Sequence, residues 1–318
     1  MPPFPKPTTV YKVNVTNEII NMVAYKKNKP DRNIPKKTKT KLLLATWNIA
    51  NFGLQKREEE HYKIIAEMLS WFDIIAIQEL NDNLEGLRIL QKELPNNYQV
   101  IFSDASGNDE RMCFLFDNKK IKLMEKIGEI AVAAEELAEI KLPEIKSEFK
   151  GFSRTPFIAT FKVNNFVFAL INAHNYFGKD SELKSMERRC LEAYCIGRWA
   201  DLRRKSKNCY TQNIIALGDF NLPKVEKGDM VYKALLARGF EMPEHSTKIY
   251  SNISNDKQYD QIVFMPGIKS LVTNTGVFDF DGALFPDLWD KENPQILKNY
   301  LRYYISDHRI MWMEMAVN

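Results

Sequence analysis

What most limits the folds open to this chain is a series of short apolar runs, β-branched and aromatic in character, each broken off at a polar or turn-forming residue. Eleven are legible: 41–48, 73–78, 98–103, 111–116, 122–130, 156–163, 166–173, 213–217, 260–265, 270–275 and 309–316. Their length and composition are those of strands. Between them, 57–71, 82–94, 181–206 and 228–238 carry helical apolar spacing. In the first of these, Ile64, Ile65, Met68 and Leu69 supply the apolar positions. Glu58, Glu59 and Glu60 occupy its first turn, where the helix dipole favours acids. Strands outnumber helices, and hairpin-like pairs sit beside strand–helix–strand units. The pattern therefore predicts an α+β or mixed α/β domain with mixed sheets rather than a doubly wound parallel sheet. It contains no internal repeat and no clear second domain.

Composition adds limits. With 45% hydrophobic and 27% charged residues over 318 positions, the chain is ordinary globular material and not a disordered one. Its net charge of +4 divides unevenly: residues 1–41 hold ten Lys or Arg against Glu18 and Asp31, a net of +8. The remainder has 35 basic and 39 acidic residues, a net of −4. Residues 1–41, rich in Pro, Lys, Asn and Thr without a sustained apolar period, read as a flexible basic arm with one short helix over 17–25. Lysines that track phosphates there would make affinity fall with added salt. No apolar stretch reaches the roughly 18–20 residues of a membrane span, and no run of signal-peptide length opens the chain. Cys113, Cys190, Cys195 and Cys209 show no Cys-x-x-Cys spacing and no His at finger spacing. Free buried thiols in an intracellular, cytoplasmic setting are the expectation.

The chemistry lies at the strand mouths. One run ends in Asn48, another in Glu79, another in His174 and Asn175, and another in Asp219 with Asn221 two residues on. Asp260 opens a run, and Ser306-Asp307-His308 leads into the last. Taken singly, a strand-terminal Asn or Asp caps a turn, Gly218 to Pro223 reads as a tight turn, and a lone His such as His61 or His245 is an ordinary hydrogen-bonded residue. Taken together, these carboxylates, two histidines and several amides on rigid strand ends form a set suited to metal-assisted phosphoryl hydrolysis.

These residues resemble the ordered motifs of the endonuclease/exonuclease/phosphatase superfamily. The segments are Trp-Asn-Ile-Ala-Asn-Phe-Gly (47–53), Ile-Gln-Glu (77–79), Ala-His-Asn (173–175), Gly-Asp-Phe-Asn (218–221), Tyr-Asp-Gln-Ile (259–262) and Ser-Asp-His (306–308). Glu110-Arg111 before Phe114-Leu115-Phe116, Phe152-Ser153-Arg154 and Phe278-Asp279-Phe280 are similar to its DNase I-like branch. The likeness covers 42–318 and implies one catalytic domain there, a four-layer αββα sandwich of two mixed sheets flanked by helices.

The resemblance also implies roles. Glu79 would be the principal ligand of Mg²⁺, or Mn²⁺ in its place, with Asn48 and Asp307 close by. Mg²⁺ prefers oxygen ligands and keeps several waters, so one or two carboxylates suffice. His308, oriented by Asp260, would be the general base. His174 would bind a phosphate oxygen or protonate the leaving group, and Asp219 and Asn221 would align the nucleophile, the phosphate or a second ion. Arg111, Arg154 and Asn175 are candidates for the substrate phosphate. His174 favours the DNase I-like and sphingomyelinase branches over the abasic-site repair branch, where an Asn usually stands. Ile215-Ala216-Leu217-Gly218 lacks the Trp usual in the inositol-phosphatase branch.

The function so implied is an intracellular DNase I-like endonuclease acting on DNA, its partner being nucleic acid. Two departures leave the substrate open. Ala50 and Asn81 stand where secreted DNase I-type enzymes place arginines that reach the minor groove. Residues 281–304 are longer than that branch expects and end in Tyr300, Arg302, Tyr303 and Tyr304. That run is either a base-stacking platform or a packed amphipathic helix. The basic residues of 181–206, interleaved with Glu182, Glu187, Glu192 and Asp201, read as a solvated ion-paired face or as a nucleic-acid groove. The alternative function is a phospholipid, sphingomyelin or inositol-phosphate phosphodiesterase or phosphatase. A non-catalytic binding module is the third, though no metal or base residue is missing.

Overall fold

The computed structural model of the chain describes residues 3–28, 33–244 and 249–317; His245 lies outside them. Every expected strand is present, with ends shifted by a few residues. In chain order the elements begin α1 (Val15–Asn28), β1 (Lys41–Phe52), α2 (Glu59–Ser70), β2 (Ile74–Asn81), α3 (Glu85–Glu93), β3 (Tyr98–Phe102) and β4 (Glu110–Asp117). They continue β5 (Lys122–Glu129), β6 (Phe157–Val163), β7 (Phe166–His174), α4 (Leu183–Lys205), β8 (Ile214–Asp219) and α5 (Met230–Leu236). The last are β9 (Asp260–Phe264), β10 (Val272–Phe278), α6 (Gln295–Tyr304) and β11 (Ile310–Ala316).

One sheet has six strands in the order β10-β11-β1-β2-β4-β3, and the other has five in the order β5-β6-β7-β8-β9. Both are mixed. The parallel pairs are β1 with β2 and β7 with β8, and each is joined through a crossover helix, α2 or α4, as parallel pairing requires. All other neighbours are antiparallel.

Alternate residues of each run face different layers. Leu42 and Leu44 of β1 point between the sheets, where they join Phe114, Phe116, Phe161, Phe168, Leu217 and Phe264. Leu43, Ala45 and Trp47 of the same strand point outward and meet Ile64, Ile65 and Met68 of α2. On the other side, Ile171, Ala173 and Ala216 meet Cys190 and Ile196 of α4 and Leu235 of α5. Both faces of the central strands are buried, which is why their sequences are continuously apolar rather than alternating. The result is helix, sheet, sheet, helix: the expected four-layer sandwich.

Packing bears on two of the expectations. Over its described residues, the arm is not loose. Met22 of α1 is fully buried and Ile34 nearly so. The Tyr25 hydroxyl donates to Asp279 at 2.8 Å, and Glu18 accepts from the Phe285 backbone at 2.8 Å. Several arm cations are already engaged: Lys26 lies over the Trp71 ring, Lys37 reaches the Tyr98 hydroxyl, and Lys41 pairs with Glu314. The basic excess is visible in the sequence, whereas the apolar anchors of α1, Ile19, Met22 and Val23, are too few to announce docking. The aromatic run of 281–304 is the packed helix α6. Tyr300, Tyr303 and Tyr304 are buried, with His61 stacked on Tyr304 at 4.2 Å between ring centres. His61 Nε2 also lies 3.0 Å from the Tyr300 hydroxyl, so it is the ordinary core histidine expected of it.

Along α4, Arg188 faces Glu192, and Asp201 takes Arg204 and Lys205, so much of its basic face is ion-paired as the solvated reading holds. Arg189 is instead fully buried and reaches Asp180 and the Asn221 carbonyl, each at 2.9 Å. Among the described residues no helix is long and apolar enough to cross a membrane. All four cysteines are free.

Candidate active site

Sheet register does most of the assembly. His174 on β7 pairs with Asp219 on β8, which pairs with Asp260 on β9, so three polar side chains stand abreast at one sheet edge. In the other sheet Asn48 on β1 pairs with Gln78 on β2, placing Glu79 one step further. The sheets are bridged beneath the site by amides. Gln78 Nε2 donates to Asn172 Oδ1 at 2.6 Å, and Asn172 Nδ2 donates to the carbonyls of Ile77 and Cys113. Buried polar groups so fully satisfied fix one relative position of the two layers. Gly218 permits the close approach of β7 and β8: its φ is +143°, and a Cβ there would stand 2.0 Å from the Ala173 carbonyl oxygen.

The strands then break to aim side chains inward. Pairing of β1 with β2 shifts register between Asn48 and Phe52, and that of β2 with β4 between Ile77 and Leu80. Glu79 (φ +63°), Asn51 (φ +49°) and Asn221 (φ +50°) lie in the left-handed region. For a glutamate this conformation costs on the order of 1–3 kcal/mol and persists only where surroundings impose it. Here the surroundings are hydrogen bonds: Asn48 Nδ2 donates to Glu79 Oε1 and the Asn51 backbone to Oε2, both at 2.8 Å. Asn48 Nδ2 also donates across the sheets to Asp219 Oδ2 at 3.1 Å.

The two histidines have different settings. His308 Nδ1 is 2.8 Å from Asp260 Oδ2, and its Nε2 is 3.8 Å from Asp219 Oδ2. Burial disfavours the imidazolium, but the charges of Asp260 and Asp219 and the Asp260 hydrogen bond outweigh it and lift His308 well above its ordinary value. Ser306 steadies this segment, donating its hydroxyl to the Asn48 carbonyl at 2.6 Å and accepting from the His308 backbone at 3.0 Å. His174 lies among three carboxylates: Nε2 is 3.6 Å from Asp219 and 3.9 Å from Glu79, and Nδ1 is 3.4 Å from Glu110. Burial also opposes ionisation of Glu110, yet His174 and Arg154 hold its carboxyl below the usual range. Asp219 is lowered in the same way, with His308 and His174 overcoming burial. Asp307, half-buried, is raised by burial and by the neighbouring charge of Glu79.

A divalent cation fits this donor set. Asn48 faces two carboxylates with its amide, which fixes that atom as the nitrogen and leaves Oδ1 buried without a protein partner. Such an oxygen calls for a cation or water. Asp219, Asp260 and His308 also bring ligand atoms within 4.8 Å of one another. His308 Nδ1 is committed to Asp260, so carboxylate and amide oxygens are the natural ligands for a hard ion.

The phosphate candidates differ. Asn175 is buried, with its amide nitrogen unpartnered and its carbonyl accepting from Asn221 at 2.9 Å. The Asn221 backbone in turn donates to Asp219 at 2.8 Å. Arg154 is buried and spends its charge on Glu110 at 2.6 Å. Arg111 makes its bonds with Asp82, Asp104 and the Ser103 carbonyl. Sequence reasoning passed over Glu110 as the partner of His174 and over Ser306 and the Gln78–Asn172 bridge. The one available signal for Glu110 was its place at the mouth of a strand, beside Arg111.

No family model matches the sequence, and no curated protein matches it. Solved structures do. One is an endonuclease/exonuclease/phosphatase family protein from Bacteroides thetaiotaomicron, 19% identical, covering 89% of this chain and 100% of its own, with a TM-score of 0.56. Another is a mannosyl-6-phosphatase of the same organism, 18% identical, covering 86% and 99%, with a TM-score of 0.55. A third is D. rerio TDP2 in complex with a single-strand DNA product, 14% identical, covering 87% and 99%, with a TM-score of 0.57. With two mixed sheets between helix layers and its polar strand ends gathered at one edge, this chain has the DNase I-like fold of the endonuclease/exonuclease/phosphatase proteins.

Proposed function

We propose that the chain is a divalent-metal-dependent phosphodiesterase, an endonuclease that hydrolyses DNA by in-line attack of water. The observation that carries this reading is the convergence of the Asp260–His308 pair, His174 and the oxygen-rich group of Glu79, Asn48 and Asp219, with Asp307 feeling the charge of Glu79. Bound at Glu79, Asn48 and Asp307, Mg²⁺ (or Mn²⁺) would neutralise charge on the phosphoryl and leaving oxygens. His308 donates Nδ1–H to Asp260, and its Nε2 takes the proton of the attacking water. Such a base contributes typically about 10²–10⁴-fold. His174 hydrogen-bonds a phosphate oxygen or protonates the leaving oxygen as its bond to phosphorus breaks. Asp219 and Asn221 align the nucleophile, and the unpartnered Asn175 amide meets a phosphate oxygen. Arg111 acts at the rim, and buried Arg154 acts through Glu110. Free cysteines support an intracellular, cytoplasmic setting.

The likeness to TDP2 bound to a DNA product supports a nucleic-acid substrate. A second reading, a phosphomonoester or phosphodiester on a sugar or lipid, is favoured by Ala50 and Asn81 and by the likeness to a mannosyl-6-phosphatase. The test is a panel of supercoiled plasmid, linear duplex, single strands, RNA, sugar phosphates and sphingomyelin with Mg²⁺. Plasmid nicking lost in EDTA supports the endonuclease. Release of phosphate from a sugar, or of headgroup from lipid, with nucleic acids untouched, replaces it by the second reading.

A further inference from the structure

Beside the site is a hollow of about 600 Å³ whose wall includes Lys146, Lys150, Lys184 and Arg188, with Glu148 its one acid among the described residues. Its place follows from topology. β6 begins where β7 ends, Phe157 pairing with Asn172, so the segment entering β6 emerges at the same sheet edge as His174. The helix α4, which follows β7, starts there too. The first turns of α4 and residues 146–151 therefore face each other next to the site, and they are sewn to it. Buried Glu192 accepts from the backbones of Ser153 at 2.8 Å and Tyr176 at 2.7 Å, tying the loop to the residues after His174. Arg154, four residues past Lys150, holds Glu110 against His174. Four extended residues span at most about 14 Å, so the hollow opens within a few nucleotide steps of the candidate centre.

Arg188 is shared with Glu192 at 3.4 Å, but the lysines are uncommitted. No ion pair engages Lys146, Lys150 or Lys184 among the described residues, and all three are exposed. Glu187, the acid beneath, is occupied by the Lys146 backbone and the Ser147 hydroxyl. Arg188 lies over the Tyr176 ring at 4.3 Å. Phe177, 45% exposed, follows Tyr176 on a segment pressed against α4. A Cβ on Gly178 would come 2.6 Å from the Ser185 hydroxyl. Exposed cations facing a concavity, with aromatic rings interleaved, are what a single nucleic-acid strand uses, phosphates on the cations and a base on the ring.

We infer that this hollow, together with exposed Phe177 next to Tyr176, holds the strand of nucleic acid that runs on from the scissile phosphate. The inference rests on the phosphodiesterase reading of the site. The test uses the full chain, a Lys150→Gln/Lys184→Gln variant and a Phe177→Ala variant, with a short fluorescent single strand titrated in EDTA at several salt concentrations. Turnover of bis(p-nitrophenyl) phosphate with Mg²⁺ is followed in parallel. Losing two phosphate contacts on a single strand flattens the log–log salt slope by about 1.4, worth about 7-fold in affinity over a fourfold change of salt. Phe177→Ala should weaken binding several-fold at unchanged slope. Turnover of the small ester should be the same in all three. Strand binding and slope unaltered in both variants would overturn the inference while leaving the phosphodiesterase intact. So would a loss of inositol hexakisphosphate binding without loss of strand binding, which would mark a free-polyphosphate site. If the unchanged chain hydrolyses neither strand nor small ester, the proposed function falls, and an altered strand-binding slope alone would still sustain the hollow.

Discussion

Replacing Glu110 by Gln isolates what one buried charge does for His174. Glu110 and Arg154 are both nearly inaccessible, with 2.6 Å between Oε2 and Nε, and the same oxygen lies 3.4 Å from His174 Nδ1. Gln keeps the volume and an oxygen that can accept from Arg154, so the loss is the charge contribution. A charge-assisted bond exceeds a neutral one by about 1 kcal/mol. Leaving the guanidinium without an anion adds to this, up to the roughly 3–5 kcal/mol seen when buried pairs are broken outright. We expect a stability loss of about 1–3 kcal/mol by urea denaturation, small enough for the chain to stay folded. Arg154→Met should lose a similar amount, and the double variant less than the sum, with a coupling of about 1–3 kcal/mol. Activity should part from stability: kcat on a small phosphodiester falls at least about tenfold in Glu110→Gln, within what an acid–base group supplies, and the double variant does not regain it. Full kcat in Glu110→Gln would refute the idea that this carboxylate sets His174. Zero coupling would refute the ion pair as its support.

Other expectations follow from the same geometry. Gly218→Ala forces a Cβ to 2.0 Å from the Ala173 oxygen at a φ of +143°; with overpacking and backbone strain the melt should lose about 2–5 kcal/mol, and a wild-type melt would contradict the close approach. His61 is pushed down to about 3, first by burial and then by the Arg57 charge. A folded value below the unfolded one means stability present above about pH 6.5 and lost as pH falls toward 3. That acid loss, on the order of a few kcal/mol, should shrink in His61→Phe, and an unchanged acid limb would count against it. Glu79→Gln should weaken Mn²⁺ binding by calorimetry at least by the roughly 10–100-fold that even outer partners of a ligand cost; unaltered affinity would remove Glu79 from the metal.

Much of this could be read from the sequence, for physical reasons. Strands such as 41–48 and 213–217 are apolar on both faces because each is sandwiched between layers, and that produces a run no turn or surface helix imitates. Asn48, Glu79, His174, Asp219, Asp260 and His308 were legible because a strand end is a fixed place, and register brings fixed places together. What stayed hidden depends on contacts between distant elements. Glu110 meets His174 across two sheets, and Arg154 reaches it from a loop, with no spacing to betray either. The arm looked loose because Pro, Lys, Asn and Thr dominate it, and the few apolar residues that dock from α1, Ile19, Met22, Val23 and Tyr25, make a stretch too short to stand out. The tyrosines of α6 offered a stacking surface on paper, and their partners, His61 and Tyr11 among them, were known only once the fold had placed them.

The central claim is a base at His308 acting on water beside an oxygen-ligated cation. It is tested most directly by incubating supercoiled plasmid with Mg²⁺ and the purified chain, against the same reaction in excess EDTA and with His308→Ala folded to the same melting temperature. The account expects nicking that EDTA abolishes and that His308→Ala reduces by about 10²-fold or more. Undiminished nicking by His308→Ala, or by the unchanged chain in EDTA, would contradict it.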